Sequence, residues 1–224
     1  MTQVISVVQE KGGAGKTTLL SSLAALMVDD GARVAVIDTD DRRNLEAWAK
    51  KGNIDLDWMY EDNDERLIPV VKKLKSADPA YDVIFIDTAG FKSALAIYAI
   101  TASNLVLIPS KADESNAKAA RRTYTHVQSV AESTDKDISG YVVLMDVDSR
   151  TNITKAIAEA IDGAGVPRLR AMCFSRTGFK EMQSTGQGPQ GAAKAAAQSV
   201  LSELQARNLI AYYAEGGAWA KKSA

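Results

Sequence analysis

The stretch Glu10-Lys11-Gly12-Gly13-Ala14-Gly15-Lys16-Thr17-Thr18 constrains the fold more than any other part of this chain. Before it, Gln3-Val4-Ile5-Ser6-Val7-Val8 reads as a short buried strand. After it, Leu19, Leu20, Leu23, Leu26 and Met27 recur at helical spacing. Strand, glycine-rich turn and helix in that order form the setting of a phosphate-binding loop. Glycines let consecutive backbone N–H groups turn inward as a nest for phosphate oxygens. The helix adds its positive dipole end and unsatisfied N–H groups. In such a loop Gly12, Gly13, Ala14, Gly15 and Thr18 supply the cradle, and Lys16 reaches the β- and γ-phosphates. Thr17 is placed to offer its hydroxyl to Mg2+.

The loop departs from the usual pattern G-x-x-x-x-G-K-[ST] at its first position and carries an unusual residue at its second. Glu10 stands where that pattern has glycine, and a lysine, Lys11, lies inside the loop. A second cation in a loop that folds around phosphates is expected to neutralise phosphate, in its own site or across a dimer interface.

Composition bounds the remaining choices. The 224 residues are 46% hydrophobic, enough for one large α/β domain spanning residues 1–224. The net charge is −1, so any nucleic-acid or membrane surface must be a local patch. A single cysteine, Cys173, excludes an internal disulfide and a four-cysteine metal site. A single histidine, His126, argues against zinc catalysis and a Ser-His triad. No apolar run approaches ~18–20 residues, so no transmembrane helix is expected, and no secretory leader is recognised at the start; a cytoplasmic protein is expected.

Along the chain, apolar strands alternate with helical segments, and the strands end in carboxylates. The run Arg33 to Ile37 ends at Asp38-Thr39-Asp40-Asp41, and Tyr81 to Ile86 ends at Asp87-Thr88-Ala89-Gly90. In open α/β sheets, ligands bind at the carboxyl ends of strands. Asp87 reads as the acidic residue that holds Mg2+, because a carboxylate is a hard oxygen ligand. The residues Ile54 to Tyr60 alternate like an edge strand, and the apolar run Leu105 to Pro109 reads as a central one. Asp113 is expected to cap a long helix from Glu114 to about Glu132, and Ala192 to about Tyr213 to form a closing helix before a frayed tail. The fold class expected is a single α/β unit, with a mostly parallel sheet between two helical layers.

Lys11 to Thr18 resembles the deviant Walker A motif of the ParA/MinD family of ATPases, with Lys11 at the family's signature lysine. The resemblance continues through Val34-Ala35-Val36-Ile37-Asp38-Thr39-Asp40 and Tyr81 to Gly90. It implies a slow Mg2+-dependent ATPase. Asp38 would then sit near the metal and phosphates, and Asp40 would place the attacking water. Lys11 would complete the partner's site in an ATP-dependent homodimer. The family usually continues with Pro-Gln after Asp40, whereas this chain has Asp41-Arg42. Base-contacting residues are expected near Asp146, where the family often has Asn-Arg and this chain has Asp146-Val147, through Arg150, and near Arg176.

The resemblance also implies non-specific DNA binding, with a location on the nucleoid and a ParB-like or other adaptor that stimulates hydrolysis. Such a protein positions a plasmid, a chromosome region or a protein assembly. The DNA surface is expected among Arg121, Arg122, Arg168, Arg170, Arg176, Lys180, Lys194 and Arg207. Membrane targeting is not expected, because the closing helix is alanine-rich and carries only Lys194 and Arg207 as cations. Two other classes fit a phosphate loop. One is a metabolic phosphotransferase or synthetase. The other is a regulatory GTPase, since Ser110-Lys111-Ala112-Asp113 resembles the N-K-x-D guanine pattern. That pattern belongs one strand later in GTPases.

Overall fold

The computed structural model describes residues 2–90, 94–148, 151–214 and 218–220. Apolar runs bounded by turn residues become β1 (Gln3–Val7), β2 (Val34–Asp38), β3 (Asp57–Tyr60), β4 (Val83–Asp87), β5 (Leu105–Ser110), β6 (Ser139–Val147) and β7 (Arg168–Phe174). Between and after them lie α1 (Lys16–Asp29), α2 (Asn44–Ala49), α3 (Asp64–Lys75), α4 (Ala94–Ala102), α5 (Glu114–Thr134), α6 (Asn152–Gly163), α7 (Thr177–Thr185) and α8 (Gly191–Ala206). The strands pair in the order β3-β2-β4-β1-β5-β6-β7, and every pairing in this sheet is parallel.

Parallel strands need helical crossovers, and these cover both faces of the sheet. The alternation of side chains along each strand divides the core accordingly. Ile5, Val7, Val36, Phe85 and Leu107 pack on one face against α1, α2, α7 and α8. Val4, Ile37, Ile84 and Ile86 pack on the other against α3 and α4, while Val106, Ile108 and Leu144 meet α5 and α6. Burying a side chain of this size contributes about 1.5–3 kcal/mol. This is why the central strands β1, β2, β4 and β5 read as apolar runs, while β3, at one edge, exposes Asp57 and Trp58, and β7, at the other, exposes Arg170.

After β1 the chain crosses over β4 to build β2, whereas β5 is added on the other side of β1. Strand order reverses at β1, so its carboxyl end opens a crevice between connections that run in opposite directions. The glycine-rich loop lies there, and β4 runs alongside β1 in register, with Val7 opposite Asp87.

The chain's end differs from expectation. The closing helix stops at Ala206, not Tyr213. Asn208 adopts a positive φ of 55°, Leu209 N–H bonds back to the Leu204 carbonyl at 2.9 Å, and Ile210 turns into the core. The Gln3 side chain donates to the Leu209 carbonyl and accepts from Ala211 N–H, which ties this segment to the start of β1. The expected frayed tail instead contains a hairpin, β8 (Tyr212–Ala214) with β9 (Ala218–Ala220). Lys221 and Lys222 lie outside the described residues. The 21-residue α5 is capped as expected, with Asp113 accepting from Asn116 N–H at 2.8 Å.

Candidate functional site

Gly15 precedes the first turn of α1 with φ 98°, a conformation that L side chains rarely adopt. A Cβ there would also meet Met145 Cε at 3.4 Å. This turn delivers Lys16 to the start of the helix, largely buried, with its Nζ 3.4 Å from the Gln9 carbonyl. Burial lowers the Lys16 pKa, and the charges of Asp87 and Asp40 oppose that shift. Gly12, Gly13, Gly15, Lys16, Thr17 and Thr18 wall one side of a cavity of about 540 Å³. Asp40, Asp41, Arg42, Asn44, Ala89 and Gly90 wall the other.

Thr17 Oγ1 donates to Asp87 Oδ2 at 2.6 Å. The other carboxylate oxygen, Asp87 Oδ1, is buried and has no hydrogen-bond partner. Burial pushes the Asp87 carboxyl up to about 7, with the Thr17 bond working against it. A hydroxyl and an under-satisfied carboxylate at the loop's end form a hard oxygen donor set, so these residues fit Mg2+.

Asp38, expected near the metal and phosphates, stands opposite Asp87 on the neighbouring strand, and its charge helps raise the Asp87 pKa. Asp38 Oδ1 accepts from Asp40 N–H at 3.0 Å and its Oδ2 from Glu46 N–H at 2.9 Å. Both oxygens therefore organise the turn into α2, and Asp38, like Asp87, lies behind the residues that line the cavity. Burial raises its pKa, while those backbone bonds lower it. Asp40 does line the cavity, and its Oδ1 accepts from Arg42 N–H at 3.0 Å. With Asp41-Arg42 in place of Pro-Gln, the wall gains an arginine.

Lys11 points away from the cavity. Its Nζ lies 3.7 Å from Asp113 Oδ1 at the start of α5, and the preceding Glu10 pairs with Arg122 on the same helix. The displayed geometry therefore places Lys11 at the outer surface rather than over its own loop.

A second cavity, of about 410 Å³, adjoins the first and shares Gly13, Gly15, Thr18 and Gln183 with it. Ala14, Met145, Phe174 and Phe179 give it apolar walls, and Lys111, Asp146 and Arg176 add charge. Asp146 and Arg176, expected at the base end, are thus brought together; Ser149 and Arg150 lie outside the described residues. Asp146 adopts φ 54° and its Oδ2 lies 3.0 Å from Lys111 Nζ. Burial alone would raise its pKa, but bonds from Lys111 and Ser175 outweigh burial and leave it below the ordinary value. Arg176 donates to the Ser175 carbonyl at 2.9 Å and sits over the Phe174 ring. Asp113, occupied with capping α5, does not line this chamber, so the guanine-type pattern lacks its carboxylate here.

Sequence reasoning missed Gln183, Arg42 and Asn44 in the cavity walls. Lys111 was legible only as part of the misleading Ser110–Asp113 pattern, and α7, which carries Gln183, was not assigned. The cations expected to meet DNA are partly neutralised within the chain. Arg122 pairs with Glu10, Arg168 with Asp162, Lys194 with Asp29 and Arg207 with Glu203.

Comparison with known proteins matches this geometry. A sequence model of the family described as VirC1 protein matches residues 2–215. The chain is 28% identical over 191 residues to protein virC1 of Rhizobium radiobacter, covering 82% of this chain and 81% of that protein. It is 26% identical over 185 residues to protein ParA of the same species, covering 82% and 83%. The solved structure of the septum site-determining protein MinD from Pyrococcus horikoshii OT3, complexed with Mg-ADP, has a TM-score of 0.71 over 91% of this chain and 96% of its own. At 20% identity that likeness is one of fold. With a phosphate loop at the strand-order reversal and a family match along nearly its whole length, the chain belongs to the VirC1 family, within the ParA/MinD group of P-loop ATPases.

Proposed function

We propose that this chain binds Mg-ATP across its two adjoining chambers and hydrolyses it slowly as part of a positioning cycle. The observation that carries the reading is the Thr17–Asp87 bond of 2.6 Å, which leaves a buried carboxylate oxygen without a partner at the end of the phosphate loop. Lys16 offsets charge on the β- and γ-phosphate oxygens, and the loop N–H groups bind the remaining oxygens. Thr17 and Asp87 hold Mg2+, which when bound neutralises charge on the phosphates. Asp40 orients the attacking water. Met145, Phe174 and Phe179 pack against the base, and Asp146 and Arg176 bond its polar edge.

In this reading ATP favours a homodimer in which Lys11 leaves Asp113 and reaches the partner's phosphates. The two basic surfaces then act together on DNA backbone without sequence preference. Hydrolysis removes the γ-phosphate contacts, the loops carrying Asp40 and Gly90 relax, and the dimer is released. A ParB-like or other adaptor accelerates that step, and the cargo is a plasmid, chromosome region or protein assembly.

The direct test is nucleotide affinity with Mg2+ present. Lys16→Ala should weaken ATP binding by about 100-fold or more, the scale expected when a charge-assisted contact is removed from a buried site. Binding of ATP by that variant at wild-type strength would remove the basis for the reading.

A further inference from the structure

Gln183 stands where the two chambers meet. Of the four positions that wall both cavities, Gly13, Gly15 and Thr18 belong to the loop and the first turn of α1, and Gln183 comes from α7. Its amide nitrogen Nε2 is buried without a hydrogen-bond partner. A dry, unpaired amide donor is costly, and such atoms in a folded chain need an explanation. A half-turn about the last torsion exchanges the amide nitrogen with its oxygen, and that torsion is broad. The donor can therefore be presented to the cavity without moving the backbone.

That backbone is held firmly. Lys51 Nζ donates to the Gln183 and Ser184 carbonyls, each at 2.6 Å. Asn53 Nδ2 donates to the Thr185 carbonyl at 2.8 Å, and Trp48 Nε1 to the Gln187 carbonyl at 3.1 Å. These donors satisfy carbonyls at the end of α7 and just beyond, which no intrahelical partner could. All three come from α2 and the turn after it, and α2 begins four residues beyond Asp40. Gln183 and Asp40 therefore sit on backbones strapped to one another.

We propose that Gln183 binds the sugar of the nucleotide, with Nε2 donating to a ribose hydroxyl oxygen. The inference rests on reading the two chambers as one ATP site. Phosphates belong at the Lys16–Thr17 end and the base at the Asp146–Phe174 end, and the ribose is what joins them. A hydroxyl both donates and accepts, as a glutamine amide does, so the two groups match in kind.

The test compares ATP, 2′-deoxy-ATP and 3′-deoxy-ATP binding to the full chain with Mg2+ present. Wild type should bind ATP about 10-fold more tightly than at least one deoxy analogue, the ratio set by one hydrogen bond to a buried donor. Gln183→Met keeps the side chain's length without its donor. It should lose that factor on ATP and stop distinguishing the three. Its unliganded melting temperature should equal or exceed that of wild type, because the donor has no partner to lose. Unchanged ATP affinity in Gln183→Met would overturn the proposal, as would an equal loss on all three nucleotides, which would place the donor on a phosphate. Lys16→Ala separates the two failures. If it loses ATP while Gln183→Met does not, only the sugar assignment falls; if it binds normally, the reading of the cleft itself falls.

Discussion

At the scale of the residue, Asp87 shows how a site keeps an unfavourable group in place. Its carboxyl is buried, one oxygen lacks a partner, and its pKa is pushed up to about 7 from 3.8. In the unfolded chain the group ionises near its ordinary value. Between those two values, folding takes up a proton. The stability associated with the neutral acid is complete below 3.8 and is lost as pH rises through about 7. Asp87→Asn, free of this titration, should make the protein without nucleotide more stable at pH 8, by on the order of 1–3 kcal/mol. That corresponds to ~2–4 °C for each kcal/mol in a chain of this size. The gain should shrink toward zero as pH approaches 4. Thermal melts across pH check this, and a constant difference would show that the carboxylate is not the source. With Mg-ATP present the order should reverse, because the variant forfeits the ligand's stabilisation.

At the scale of the element, the junction between α7 and α2 is the most closely specified contact near the site. Gly186 ends α7 with φ 73°, and a Cβ there would lie 2.4 Å from Lys51 Cβ. Substitution thus meets both a left-handed backbone and a direct clash. Gly186→Ala should destabilise the protein by about 1–3 kcal/mol, read as a lower urea midpoint at unchanged slope. An unchanged midpoint would mean that Lys51 can leave the α7 carbonyls at no cost. The same junction explains why the segment after Asp40 is short and tightly turned. Asp38 binds the N–H groups of Asp40 and Glu46, and Trp48 is buried and bonds the Gln187 carbonyl just beyond α7.

At the scale of the whole molecule, the proposed cycle assigns the loop lysine and the basic residues to an assembly. Lys11 and Glu10 both engage α5 in the single chain, and four of the expected DNA-facing cations are paired with carboxylates. Asp40→Ala should bind ATP without turnover and accumulate as a dimer, measured by analytical ultracentrifugation. That dimer should bind unrelated duplexes with ATP and not with ADP, more weakly as salt rises. Adding Lys11→Ala should abolish the dimer and the DNA binding together. DNA binding that is indifferent to nucleotide would uncouple the two surfaces.

By itself the sequence determined the phosphate loop, the carboxylates at strand ends and the α/β layering, because each is written in short-range chemistry. Gly15 before Lys16-Thr17, and apolar runs closed by Asp38 and Asp87, are local signals that need no partner to be read. The Asp113 cap and the length of α5 were legible for the same reason. Tertiary structure alone decided what each of those carboxylates meets. Asp38 and Asp87 end neighbouring strands in register, yet one meets backbone N–H groups and the other meets Thr17. It also ended α8 early, since Gln3, more than 200 residues away, bonds the segment that follows. Gln183 reached the shared wall because Phe179 and Met182 bury α7 in the core and Lys51, Asn53 and Trp48 hold its end. Contacts between residues far apart in the chain leave no periodicity to read, and the end of α8, the Thr17–Asp87 bond and the position of Gln183 rest on such contacts.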